Sequence, residues 1–135
     1  MQKTYTLSNG TIVIVKALNK REACTKSFNQ RHYAYTIHFI VGDNKYAFTF
    51  HDSAYNFCKR IGATEQMIDD AVNCIITDAR SYSNNTNFYN FCNAYGYEIH
   101  DGEGYRVWNA CAKTCEKLEE MLNSEEIDEL YSITE

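Results

Sequence analysis

The chain of 135 residues is 44 % hydrophobic, 23 % charged and 14 % aromatic, enough apolar surface to offset chain entropy and exclude a disordered tail or low-complexity linker. The longest apolar run, Thr11-Ile-Val-Ile-Val-Lys-Ala-Leu18, is strand-sized, well short of the ~18 residues that span a bilayer. The opening Met-Gln-Lys-Thr-Tyr-Thr-Leu has no signal-peptide core, so a single domain, residues 1–135, is expected in the cytoplasm of its host with no membrane association.

The net charge of −5 is unevenly spread. Residues 1–60 hold nine Lys/Arg against three acids, residues 61–115 three against seven, and residues 116–135 one against eight. A basic sheet end and an acidic helical end are expected. There is no Pro, and thirteen Asn supply turn and cap chemistry in its place.

The first third has strand patterning. Asn9-Gly10 is a strong hairpin signal, because both central residues of such a turn need positive φ. A two-residue loop there would pair Leu7 with Ile12 and Tyr5 with Ile14, and the following strand, apolar on both faces, is expected in a covered central position. Residues 19–31 are polar and unpatterned and are expected to form a long connection. Tyr33, Tyr35, Ile37, Phe39 and Val41 then alternate onto one face, as do Tyr46, Phe48 and Phe50. Parity selects a two-residue Gly42-Asp43 loop, which sets Phe39 opposite Tyr46 and Ile37 opposite Phe48.

After Phe50 the apolar period changes from 2 to 3.6. Asp52 is the expected cap of a helix with Ala54, Phe57, Cys58 and Ile61 inward, closed by Gly62. Thr64 caps the next, with Ile68, Ala71, Val72, Ile75, Ile76 and Ala79 inward. Arg80 to Asn87 reads as a loop. Phe88, Phe91, Cys92 and Tyr95 mark a further helix ended by Gly96. Asp101 caps a longer one with Trp108, Cys111, Cys115, Leu118 and Leu122 inward, and Ser124 starts a short acidic helix. The expected class is α+β: an antiparallel sheet of about four strands in two hairpins, followed by four to five helices packed on it.

No catalytic motif is legible. Cys111 and Cys115 share a helix face but lack two further ligands for zinc, and together with Trp108 and Leu118 they read as core. Five of the six cysteines fall on apolar helical stripes and are expected to be reduced and buried; Cys24 lies instead among Lys20, Arg21 and Lys26, which would favour its thiolate. His51-Asp52-Ser53 cannot chain as a triad, since adjacent residues point apart. His32, His38 and His51 fall on the polar sheet face. Gly102-Glu-Gly104 is too short for a phosphate loop. No cofactor and no metal are expected.

Two surfaces remain. Tyr82-Ser-Asn-Asn-Thr-Asn-Phe-Tyr-Asn90 has the Tyr/Ser/Asn chemistry of adaptable contact loops, and the acidic C-terminal region has the charge to occupy a basic channel. The candidate protein-binding residues are Glu119, Glu120, Glu125, Glu126, Asp128, Glu129, Tyr82, Asn84, Asn85 and Tyr89. The alternative is nucleic-acid binding through the basic segment Lys20, Arg21, Lys26 and Arg31, which has the charge to contact phosphates. A third is an enzyme with an unrecognised site. A homodimer is compatible with all three.

Cys74-Ile-Ile-Thr-Asp-Ala79, Phe88-Tyr-Asn-Phe-Cys92, Tyr95-Gly96-Tyr97, Ala110-Cys111 and the upstream Phe48-Thr-Phe-His-Asp-Ser53 form a pattern over about residues 46–122. In it the chain resembles a group of small uncharacterised phage and mobile-element proteins. It departs from the group's Asp-Ser-Arg-Lys segment, having His100-Asp-Gly-Glu-Gly-Tyr-Arg106 there. The resemblance carries no catalytic residues. It implies a viral accessory protein that binds and blocks a host factor without catalysis, such as a CRISPR nuclease or another defence protein, hence an anti-CRISPR type of inhibitor.

Overall fold

A computed structural model describes residues 1–24, 31–53 and 64–135, with the side chains of 19–24, 31, 32 and 53 left aside. The sheet has four antiparallel strands in sequence order: β1 (Gln2–Thr6), β2 (Ile12–Cys24), β3 (Arg31–Val41) and β4 (Asn44–Ser53). Four helices follow among the described residues: α1 (Glu65–Ser83), α2 (Phe88–Tyr95), α3 (Gly102–Met121) and α4 (Ser124–Thr134). The class is α+β.

The first hairpin differs from the two-residue expectation by one residue. Leu7 N–H donates to Thr11 O at 2.9 Å and Gly10 N–H to Leu7 O at 2.9 Å, so the loop is Ser8-Asn9-Gly10. Gly10, at φ +89°, occupies the left-handed position that closes a three-residue loop. Tyr5 therefore faces Val13, with Lys3 opposite Val15. Since a one-residue shift exchanges the two faces of a strand, Val13 and Val15 are wholly buried while Ile12 is 51 % exposed. β2 is central in strand order, but its outer face is left partly open.

β2 also continues through residues 19–24, where a connection was expected. A bulge between Ala17 and Lys20 shifts the register, after which Lys20 pairs with Tyr35 and Cys24 with Arg31. Main-chain hydrogen bonds carry this ladder, and no apolar alternation advertises it. The second hairpin follows parity: Gly42, at φ +59°, opens a two-residue loop, and Phe39 faces Tyr46 and Ile37 faces Phe48. Asp52 belongs to β4 opposite Tyr33 and is buried. The helix expected over residues 54–62 lies outside the described residues.

On the inner face, Phe39 and Phe48 meet edge to face at 5.0 Å, and Tyr46 meets Phe48 in the same way at 4.8 Å. Such pairs contribute about 0.5–1.5 kcal/mol each beyond their buried area. α1 lies over this face. Thr64 Oγ1 accepts from Met67 N–H at its start, and Met67, Ile68, Ala71, Val72, Ile75, Ile76 and Ala79 are all buried. Burying each of the larger ones contributes about 1.5–3 kcal/mol before ordering entropy is subtracted.

α1 is the hub, touching β1, β2 and β4 on one side and α3 and α4 on the other. Asp69 ties it to β1, accepting from Lys3 Nζ at 2.8 and 2.9 Å and from Tyr5 Oη at 2.5 Å. α3 brings Cys115 and Leu118 into the core and ends at Leu122, and α4 adds Leu130.

Candidate functional site

α1 does not stop at Ala79. It runs to Ser83, so Arg80 to Ser83 are helical and only 84–87 form the connection to α2. Tertiary contacts override the weak helix propensity of Arg80-Ser-Tyr-Ser. The Arg80 guanidinium lies 4.3 Å from the Tyr131 ring and pairs with Asp128 at 2.5 Å, and Tyr82 packs 5.8 Å from Trp108. Ser81 Oγ donates to Thr77 O at 2.9 Å. Asn84 and Asn85 then close the helix: Asn84 N–H donates to Arg80 O, and the Asn85 amide donates to Ser81 O at 3.1 Å.

Trp108 fixes that connection from α3, its Nε1–H donating to Asn85 O at 3.1 Å. Phe88 lies 5.4 Å from Trp108 and edge-on to Tyr105 at 5.6 Å, and Tyr105 is 6.0 Å from Trp108. Tyr82, Trp108, Phe88 and Tyr105 thus form one continuous aromatic cluster spanning α1, α2 and α3. Its outer members reach solvent: Tyr105 is 55 % exposed, and Tyr89, on the same short helix as Phe88, is 62 % exposed.

The cluster runs into a carboxylate stripe. Tyr105, Asn109, Ala112, Glu116 and Glu119 follow at helical spacing along α3, on the flank of its buried Cys111, Cys115 and Leu118. A shallow cleft of about 650 Å³ lies against this stripe, lined by Tyr82, Asn109, Ala112, Glu116, Glu119 and Glu120 among others. A second cleft, of about 630 Å³, opens between the ends of α1 and α3 and the start of α4. Leu118, Leu122 and Ile127 line it with apolar groups, and Arg80, Asn84 and Asp128 with polar ones. Cys115 and Glu119 belong to both clefts.

The expected protein-binding residues therefore separate into two groups. Tyr82, Asn84, Glu119, Glu120 and Asp128 line the two clefts, and Tyr89 stands exposed nearby on α2. Glu126 and Glu129 instead hold α4 to the first hairpin. Glu126 closes a capping box with Asn123 and accepts from Asn9 Nδ2 at 3.1 Å, while Glu129 takes the Ser8 N–H at 2.8 and 3.0 Å. Asn85 is spent on capping α1, and Glu125 is exposed in the first turn of α4. Asp128 does both tasks, lining a cleft while paired with Arg80.

Of the basic segment the structure describes the backbone register of three positions. Lys20 pairs with Tyr35 and Arg21 with Ala34, so these consecutive positions belong to opposite faces of the ladder. Arg31 opens β3 opposite Cys24, and Lys26 lies outside the described residues.

Thiol chemistry is quiet in α3. Burial, then Asp78, pushes the Cys111 thiol up to about 11; burial, then a hydrogen bond to Glu119, does the same for Cys115. Both are thiols rather than thiolates at neutral pH, as core cysteines should be. Cys92 is buried as well, whereas Cys74 is exposed on the outer side of α1, against the expectation of a buried thiol. Ala71, Val72, Ile75 and Ile76 are inward, and position 74 falls just beyond the edge of that inward arc. Among the described residues no three His, Cys, Asp or Glu side chains gather as a metal site, and no helix is long and apolar enough to cross a membrane.

Sequence reasoning did not single out Tyr105, Glu116 or Arg80. The first two were legible as the second stripe of α3, offset from its apolar one. Arg80 was not, because its partners lie 48 and 51 positions away. No family model matches the chain, nor does any curated protein or solved structure.

Proposed function

We propose that the chain is a non-catalytic binding protein whose helical layer docks on a basic surface of a protein partner and blocks it. The observation that carries this reading is the junction of the Tyr82–Trp108–Phe88–Tyr105 cluster with the Glu116, Glu119 and Glu120 stripe. Rigid aromatic groups supply binding energy at low entropy cost. Adjacent carboxylates steer encounter and select a positively charged partner. A nucleic-acid channel of a defence nuclease has that charge, and the resemblance to phage accessory proteins points to the same class of partner, a CRISPR effector among them.

Phage plating tests this. Expression of the chain in a bacterium whose CRISPR system targets an infecting phage should restore plaques. A variant with Tyr105→Ala, Glu119→Lys and Glu120→Lys should lose that protection while keeping its helical circular dichroism. Loss of one central aromatic anchor alone costs about 2 kcal/mol or more in such interfaces, roughly thirtyfold in affinity. No restoration by the unmodified chain across the CRISPR types would contradict the defence reading. Full protection by the folded variant would contradict the surface.

A further inference from the structure

Among the described residues, the helices lie on the inner face of the sheet. On the other face, the outward positions run from Gln2 to Thr6, Ile12 to Leu18, Ala34 to Ile40 and Lys45 to His51. Among these described residues there is no Asp or Glu, in a chain with 18 of them. Lys16, paired with His38, and Lys45, paired with Ile40, give the face its charge. Ile14 stands opposite Ile40, and Ile12 and Leu18 flank this pair at 51 % and 52 % exposure. The field of the lysines is felt at His38, whose pKa is lowered, first by desolvation and then by Lys45 and Lys16.

We propose that this outer sheet face is a second docking surface, and that it receives an acidic amphipathic helix of a partner protein. An aliphatic centre with lysines and no carboxylate matches an apolar helix stripe flanked by Glu or Asp. α1 already packs on the inner face in the same way, so an added helix would complete a three-layer arrangement. A nucleic acid fits less well. The Phe and Tyr rings Tyr5, Tyr35, Phe39, Phe48 and Phe50 are buried on the inner face, and the described outward positions carry the imidazoles of His38 and His51 but no Phe, Tyr or Trp platform for successive bases. The surface is independent of the helical one, so the two are testable separately.

Fluorescence anisotropy on the full chain tests the assignment with a labelled synthetic helix carrying a Leu stripe flanked by Glu. The controls are the same helix with Lys for Glu and a mixed-sequence oligonucleotide. The Glu-flanked helix should bind, and binding should weaken at least tenfold in Lys16→Glu/Lys45→Glu and measurably in Ile12→Thr, a strand-compatible change at an exposed site. Tyr105→Ala on the helical layer should leave it unchanged. Equal binding of the Lys-flanked helix would overturn the proposal. So would Lys16- and Lys45-dependent binding of the oligonucleotide alone, or a dimer of the chain that Lys16→Glu/Lys45→Glu dissociates.

Discussion

Asp69 illustrates how a single side chain can hold two layers together. Its carboxylate accepts hydrogen bonds from Lys3 and Tyr5, 66 and 64 positions back along the chain, and joins the first strand to the hub helix. Tyr5 is buried, and burial followed by its bond to Asp69 raises its hydroxyl pKa far above the ordinary tyrosine value. Asp69→Ala leaves that hydroxyl without its acceptor and should cost about 1–3 kcal/mol, read as a lower urea midpoint. Asp69→Asn, which keeps an acceptor, should cost less, and equal losses would contradict the account. Gly104 is the second such point. A Cβ there would meet Tyr97 Cβ at 2.8 Å, so the segment that follows α2 can lie against the start of α3 only because that side chain is missing. Gly104→Ala should destabilise by about 1–3 kcal/mol through overpacking despite alanine's better helix propensity. A thermal midpoint unchanged or raised would refute the close contact. Neither role was read from sequence. Asp69 reads as an ordinary polar position, and the neighbours of Gly104 come from another element.

The elements show which local signals suffice. The apolar stripe of α1, the capping residues Thr64 and Asp101, and the stop at Gly96 were all readable, because each is fixed by residues within a turn or two. The second hairpin was readable for a different reason: two alternating aromatic runs leave only one register that keeps both inward. The first hairpin was misplaced by one residue because Asn9-Gly10 suits both a two-residue loop and the end of a three-residue one. The far end of β2 and the last turn of α1 were missed because partners distant in sequence stabilise them. α4 depends most on such partners, and its hold on the first hairpin is pH-sensitive. The Glu126 carboxyl is held below its ordinary pKa by the Asn123 N–H, then by Thr11 and Asn9. A depressed folded pKa means that the contribution is complete above the ordinary glutamate value of about 4.3 and disappears as pH falls through the folded value. Protection factors of α4 amides, corrected for the intrinsic pH dependence of exchange, should therefore hold between neutral pH and about 5, then fall under acid ahead of those of α1. Glu126→Gln should remove part of that pH dependence. Parallel loss of protection in α1 and α4 in both proteins would contradict the latch.

At the scale of the molecule, charge is segregated by layer. Among the described residues, the outer face of the sheet carries lysines without carboxylates, and the helical layer carries the acidic stripe beside the exposed aromatic cluster. The charge counts along the sequence anticipated this division. They did not distinguish carboxylates that face a partner from those, such as Glu126 and Glu129, that hold α4 in place. That distinction determines the test. Reversing all six expected acids would loosen α4 as well as remove surface charge, and loss of function would then have two explanations. The most direct measurement compares two charge-matched pairs in the phage-plating assay: Glu119→Lys/Glu120→Lys on the α3 stripe, and Glu98→Lys/Glu135→Lys at exposed positions outside both clefts. Each changes the net charge equally. The account predicts that the first pair abolishes protection and the second retains it. Equal loss, or loss in the second pair alone, would contradict docking through the helical layer.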